Sequence, residues 1–270
     1  MIISSRARLS ALTLAGALSV TLVAGCSSGS DEKSDTAAKP SGASSSAAEA
    51  PAAEALSEEE LTKLIVASGD VEGFKVAEPG KGDIFSGSWD DVKVEGGDGC
   101  KPIVQALSGS PVGEVKADVS RQVTQEKAPG ASKDGEMPSF EDAMRMDVTM
   151  VTLATYEGDG AQQAVKSVAD AVGKCSGGFT FTVPGEEAAS YSKVSTDKGV
   201  AADGSDETVA FGLTGEPFEE GAKPSTVHGQ VVRHGNNVVT YLTVNLGNMA
   251  EGKPYEVSAP VVTAQSKKLG

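Results

Sequence analysis

Few residues in this chain can do chemistry beyond simple ion pairing. It has three cysteines and two histidines. A thiol can be acylated, can pair as a disulfide or can ligate a metal, so Cys26, Cys100 and Cys175 come first. Cys100 and Cys175 lie 75 positions apart with no histidine near either, a poor set for zinc. His228 and His234 share parity on one β-rich run. They are six residues apart, about 20 Å along a strand, too far to hold one ion. Both read as solvated strand residues. The stretch 202–207, ADGSDE, lacks the alternating ligands of a calcium loop and reads as a turn. Residues 25–29, GCSSG, fit G-x-S-x-G without the strand–turn–helix context that gives the motif meaning. No carboxylate pair stands out. The sequence therefore implies no catalytic residues, no metal and no cofactor.

Cys26 is placed by what precedes it. Arg6 and Arg8 form a short positive region, and residues 9–25 carry no charge. This is the layout of a secretory signal, and the run is short and rich in small residues for a membrane span. Val23-Ala24-Gly25-Cys26 resembles the bacterial lipobox, where cleavage precedes the cysteine and its sulfur is acylated. Each buried CH₂ of such a chain contributes about 0.8 kcal/mol to membrane binding, so two or three chains anchor a protein without a transmembrane helix. The expectation is a signal peptide over 1–25, a lipidated Cys26, and a chain held on the extracytoplasmic face of the cell membrane.

The other two thiols sit on helical patterns. Cys100, Ile103, Val104 and Leu107 recur at i, i+3, i+4 and i+7, which predicts a helix over 99–108. Ala161, Ala164, Val165, Val168, Val172 and Cys175 repeat the pattern and predict a helix over 160–174. Asp98 and Asp159 are available as caps, and Gly109 and Gly177-Gly178 as stops. Two cysteines on buried stripes outside the cytoplasm are expected to form a disulfide, which leaves Cys26 as the odd one.

Arginine is scarce. After the signal only Arg121, Arg145 and Arg233 remain, all in predicted strands. Arg121 follows Val115 and Val119 on the apolar parity, and Arg233 follows Val227 and Val231. One reading sends each guanidinium to the sheet rim and a carboxylate partner. The sharper expectation is that Arg121 and Arg233 line a cleft together and clamp an anionic ligand group.

These residues need elements to hold them. Residues 26–55 are Ser, Ala, Gly, Pro and scattered charge, and read as a disordered tether with a reach on the order of 30 Å. Residues 56–270 hold all twelve aromatics and are long enough for one well-packed domain. Alternating runs predict antiparallel strands, clearest in the hairpin around Gly235-Asn236-Asn237. Further helices are predicted over 57–68, opened by a capping box at Ser57, and near 258–268. A surface loop is expected over 125–142, and Trp89 in the core. The fold class is α+β: one domain, an antiparallel sheet with three to four helices packed on it, and one disulfide. With the signal removed, 21 basic residues face 38 acidic ones, net −17, which argues against nucleic acid and against electrostatic adhesion to anionic lipid.

Four stretches together resemble the PknH-like extracellular sensor-domain family of actinobacterial lipoproteins. They are ASGDVEGFKV after the first helix, GCKPIVQALSG, TYEGDGAQQAVKSVADAVGKCSG, and VVRHGNNVVTYLTVN before VVTAQSKKL. The resemblance covers roughly residues 56–269. It implies an antiparallel sheet flanked by helices around a cleft that takes an unidentified ligand. The kinase sensors of that family carry two disulfides, whereas only Cys100 and Cys175 are available here. No kinase segment accompanies the domain, so any signal must pass through a partner. The functional expectation is a lipid-anchored, non-enzymatic, sensor-like lipoprotein. Its partners are the membrane through the N-terminal lipid and either a small molecule or an envelope protein. The alternatives are an envelope scaffold, which a flat apolar patch would favour, and an envelope hydrolase, which a converging constellation would favour.

Overall fold

The architecture comes from a computed structural model, in which residues 54–85, 87–95, 97–127, 144–216 and 223–270 are described. The signal segment, Cys26, nearly all of the tether and most of the expected loop over 125–142 lie outside those residues.

Alternating and β-branched runs become nine strands: β1 (Phe74–Ala77), β2 (Lys93–Glu95), β3 (Ala117–Gln125), β4 (Val148–Thr155), β5 (Phe179–Thr182), β6 (Ala189–Thr196), β7 (Glu207–Gly215), β8 (Thr226–His234) and β9 (Asn237–Val244). They join in one sheet of order β1-β3-β4-β9-β8-β7-β6-β5-β2, every pairing antiparallel. The β8–β9 hairpin turns at Gly235 and Asn236, with Gly235 at φ +59°. His234 pairs with Asn237, so Asn237 opens the second strand and is not part of the turn. The ADGSDE stretch forms the expected turn at Asp203–Gly204 before β7.

Helices cover both faces of the sheet. On one face lie α2 (Lys101–Leu107) and α3 (Gly160–Lys174), packing Ile103, Val104, Val165 and Val168 against Ala154, Phe211, Val231 and Val238. On the other lie α1 (Glu58–Leu64) and α5 (Ala259–Leu269), packing Leu61, Val261 and Val262 against Val123, Val151, Leu153 and Val239. Both faces being covered explains why seven of the eight residues of β4 are buried and why its sequence is a nearly unbroken apolar and threonine run. Trp89 packs half-buried on the first core, edge-on to Phe85 at 4.6 Å.

The expected disulfide is present. Cys100 and Cys175 are bonded with Cα atoms 5.9 Å apart, tying the start of α2 to the end of α3. The expected caps are not used. Asp159 stands at the N-cap of α3 without a side-chain bond, and a 3-10 turn, Asp98–Cys100, precedes α2. The stops at Gly109 (φ +66°) and Gly178 (φ +89°) are where the sequence places them.

Two helices depart from expectation. The capping box at Ser57 forms, with Ser57 N–H donating to Glu60 Oε2 at 2.8 Å. The helix nonetheless stops at Leu64, short of the expected 68. Gln265 of α5 supplies the reason: its amide accepts from Val66 N–H at 2.8 Å and donates to the Leu64 carbonyl at 2.9 Å. Those are backbone groups a longer α1 would have paired internally. The second departure is a fifth helix among the described residues, α4 (Leu246–Glu251), capped by Asn245, whose side chain accepts from Asn248 N–H. No described helix is long and apolar enough to cross a membrane.

Candidate functional site

One row across the α1/α5 face brings unlike chemistry together. Register places Ser195 of β6 beside Gly212 of β7, and Gly212 beside His228 of β8. Gly212 has no side chain, so the row has a gap. Asp197, just past the end of β6, has the same parity as Ser195 and reaches across that gap. Its Oδ2 lies 2.6 Å from His228 Nδ1, and its Oδ1 accepts from Ser195 Oγ at 3.2 Å. A Cβ at Gly212 would stand 2.9 Å from Ser195 Oγ and 3.0 Å from Asp197 Oδ2, so the glycine is what permits the contact.

The surrounding chain holds this pair in place. Asp197 N–H donates to Ala210 O, extending the ladder by one residue. Beyond it the chain turns over the sheet. There the fully buried Gln230 clamps it, accepting from Val200 N–H and donating to Val200 O, each at 2.8 Å. On the other side Tyr255, in the segment leading to α5, packs edge-on against the His228 ring, centroids 4.7 Å apart. Burial pushes the Tyr255 phenol well above its ordinary range, and its hydroxyl is buried without a hydrogen-bond partner among the described residues.

Between these walls lies a cavity of about 270 Å³, with Asp197, Lys198, His228, Gln230, Tyr255 and Glu256 among its lining residues. The His228 and Asp197 side chains are only 18% and 24% exposed. A carboxylate has no hydrogen to give, so the hydrogen between them belongs to Nδ1. That fixes Nε2 as the free position of the ring, and no described residue bonds to it. The arrangement is not a hydrolytic triad. Ser195 meets the far oxygen of Asp197 and not His228, so no nucleophile among the described residues bonds to Nε2. No group of three or more His, Cys, Asp or Glu able to hold a metal exists among the described residues.

A larger cavity, about 560 Å³, opens between α3 and the segment before β3. Its buried and half-buried polar side chains, Tyr156 and Ser167, are hydrogen-bonded to backbone carbonyls. Lys116 pairs with Glu157 at 2.9 Å, and the buried Tyr156 hydroxyl donates to Val112 O. It lacks the half-buried, open-valence group that marks the smaller cavity.

No family model and no curated protein matches the chain. Among solved structures, the extracellular domain of PknH from Mycobacterium tuberculosis superposes with a TM-score of 0.45 at 14% identity, over 80% of this chain and 96% of that one. An uncharacterised Mycobacterium smegmatis protein, the Rv0999 ortholog, superposes with a TM-score of 0.32 at 14% identity, over 73% of this chain and 90% of that one.

The arginine expectation needs correction. Arg121 pairs in register with Val151, on the α1/α5 face, and Arg233 with Val238, on the α2/α3 face. Each arginine does share parity with its neighbouring valines, but the sheet is buried on both sides and the two apolar faces are opposite ones. They form no common clamp. Arg233 is held at the rim by Glu207 at 2.8 Å and Asp206 at 3.1 Å, and Arg121 donates to the carbonyl of Ser120. Arg145 lies before β4, bound to Glu251 at 2.6 Å. The histidine reading is corrected as well: His234 is buried at 8% exposure, and His228 is enclosed and paired. The sequence did carry a signal for the site, namely Gly212 interrupting a strand pattern, which marks close approach.

Proposed function

We propose that this protein is a lipid-anchored extracytoplasmic lipoprotein, non-enzymatic, whose folded domain binds a small molecule in the Asp197–His228 cavity. The bond between Cys100 and Cys175 carries the reading. It implies an oxidising compartment and leaves Cys26 without a partner, directly behind the uncharged run. The cavity supports ligand binding: it is preorganised by Gln230 and Tyr255, and offers a half-buried imidazole with one open nitrogen. The scaffold alternative finds less support, because Leu246 is the only large apolar side chain exposed among the described residues.

The test is the intact mass of the chain extracted from host membranes. The expected species begins at Cys26 and carries acyl groups. Cys26→Ser is expected to abolish labelling by a palmitate analogue and to leave the signal segment uncut. A chain recovered unlipidated from the medium would overturn the anchoring. Native mass spectrometry of the same preparation addresses the ligand: a retained small molecule that His228→Gln releases supports the cavity as its site.

A further inference from the structure

We propose that the open edge of β3 docks a basic, extended segment of a partner protein, which joins the sheet as an added strand. The ladder pattern locates the opening. Glu126 N–H donates to Gly73 O beside β1, and Gln125 N–H donates to Asp147 O beside β4. Even positions of β3 therefore bond outward and odd positions inward. β1 pairs with residues 122–125 alone, so the outward groups at positions 118 and 120 have no strand opposite them. The Asp118 N–H and C=O and the Ser120 N–H have no hydrogen-bond partner among the described residues.

The sequence explains why β1 stops short. Its register, continued, sets residue 79 against Ser120, and Pro79 has no N–H to donate there. Gly80 then turns the chain away, its N–H donating to Asp83 Oδ2 at 2.6 Å. The Arg121 guanidinium takes up the Ser120 carbonyl instead, at 2.8 Å. Beside the open edge lies a groove of about 450 Å³, with Glu58 of α1, Glu78, Asp118 and Arg121 among its lining residues. Positions 118 and 120 stand about 7 Å apart along the strand, which suits a short peptide and a transient complex.

Charge selects the occupant. Three carboxylates line the groove against one guanidinium, and none of the four forms an ion pair among the described residues. Partial burial, and next the Glu58 carboxylate, raise the Asp118 carboxyl above its ordinary range, so a cation placed here relieves repulsion. Charges and proline are the usual guards of a sheet edge. A guard this one-sided repels acidic strands, a second copy of this strongly acidic chain included, and admits a basic one. Strand addition works through backbone groups and needs no exposed apolar patch. The edge lies three strands from His228, so this proposal and the ligand-binding reading stand or fall separately.

Amide hydrogen exchange of the isotope-labelled full chain, in detergent, tests the proposal. Three end-blocked seven-residue peptides serve as probes. The first alternates lysine and threonine, the second has glutamate in place of lysine, and the third is the lysine peptide with every backbone nitrogen methylated. The lysine peptide is expected to bind saturably at or below about 1 mM and to slow exchange at Asp118 and Ser120 at least about tenfold. The amide of Val151, on the inner side of the pair with β4, should be unchanged. The glutamate peptide is expected not to bind. The methylated peptide keeps the charge but has no N–H to donate, and is expected to give no protection. A chain carrying Glu58→Gln, Glu78→Gln and Asp118→Asn should bind the lysine peptide about tenfold more weakly. Equal binding of the glutamate peptide, or undiminished binding by the triple variant, would refute the charge selection. Equal protection by the methylated peptide would refute strand addition. Asp118 and Ser120 amides left unprotected by the lysine peptide up to about 1 mM would overturn the proposal outright.

Discussion

Gly212 controls the candidate site although it takes part in no chemistry. Its missing side chain is the space through which Asp197 meets His228, and the alanine methyl would stand within 3.0 Å of Ser195 Oγ and Asp197 Oδ2. Gly212→Ala is therefore expected to push the carboxylate away, free Nδ1, and cost about 1 kcal/mol of stability. Nitrogen shifts of the His228 ring would then report a tautomer mixture in place of a single Nδ1–H form, and a ring unchanged by the substitution would contradict this account of the glycine. His234 tests burial at the same scale. Burial lowers its pKa against the opposing pull of Asp206 and a backbone bond to Gly204. A lowered folded pKa means that the unfolded chain binds the proton more readily. The contribution of His234 is thus whole above the unfolded value, about 6.5, and is lost as pH falls below it. Urea midpoints are expected to drop as pH falls below about 6.5, with a slope from this residue of at most about 1.4 kcal/mol per pH unit, and His234→Asn should remove that slope. Little of this was legible in the sequence. Parity puts His228 and Ser195 on definite faces of their own strands, but only the pairing register, shifted by an irregularity between Tyr191 and Lys193, sets them in one row.

At the scale of elements, the contest over α1 shows which signals travel through sequence. Its start was legible, because a capping box is local and Ser57 and Glu60 are three residues apart. Its end was not, because the residue that decides it, Gln265, is 199 positions from Val66. The two ends also differ in worth. The capping box is exposed, and Ser57→Ala is expected to cost about 1 kcal/mol. The Gln265 amide is fully buried and satisfies two backbone groups, so Gln265→Leu strands both, at about 1–3 kcal/mol each. Thermal unfolding of the two variants side by side should show the second loss clearly exceeding the first. Equal losses would mean that α1 extends into the freed space and recovers its own hydrogen bonds. The same contrast explains the strands. The alternation of β3 and the β8–β9 hairpin could be read directly, whereas the fold of residues 198–200 over the sheet depends on Gln230, thirty positions away.

For the molecule as a whole, the decisive fact is that one sheet carries two separate cores. The disulfide belongs to only one of them: Cys100 and Cys175 sit with α2 and α3, and the Asp197–His228 cavity opens on the side of α1 and α5. This is why the paired arginines fail as a clamp, since an apolar parity does not say which of two buried faces it serves. It also separates stability from site geometry. The bond closes a loop of 75 residues, worth about 4 kcal/mol in the chain-entropy account, so its loss should lower the denaturant midpoint substantially. The cavity is fixed by Gly212, Gln230 and the Tyr255 segment, none of which packs in the disulfide's core. A Cys100→Ala, Cys175→Ala chain, kept well below its unfolding midpoint, is therefore expected to unfold earlier yet to show a His228 ring signal like that of the intact chain. A displaced His228 signal in the still-folded variant would mean that strain crosses the sheet and that the two layers act as one. An undisplaced signal would assign the disulfide to holding the domain together outside the cell and the opposite layer to recognition.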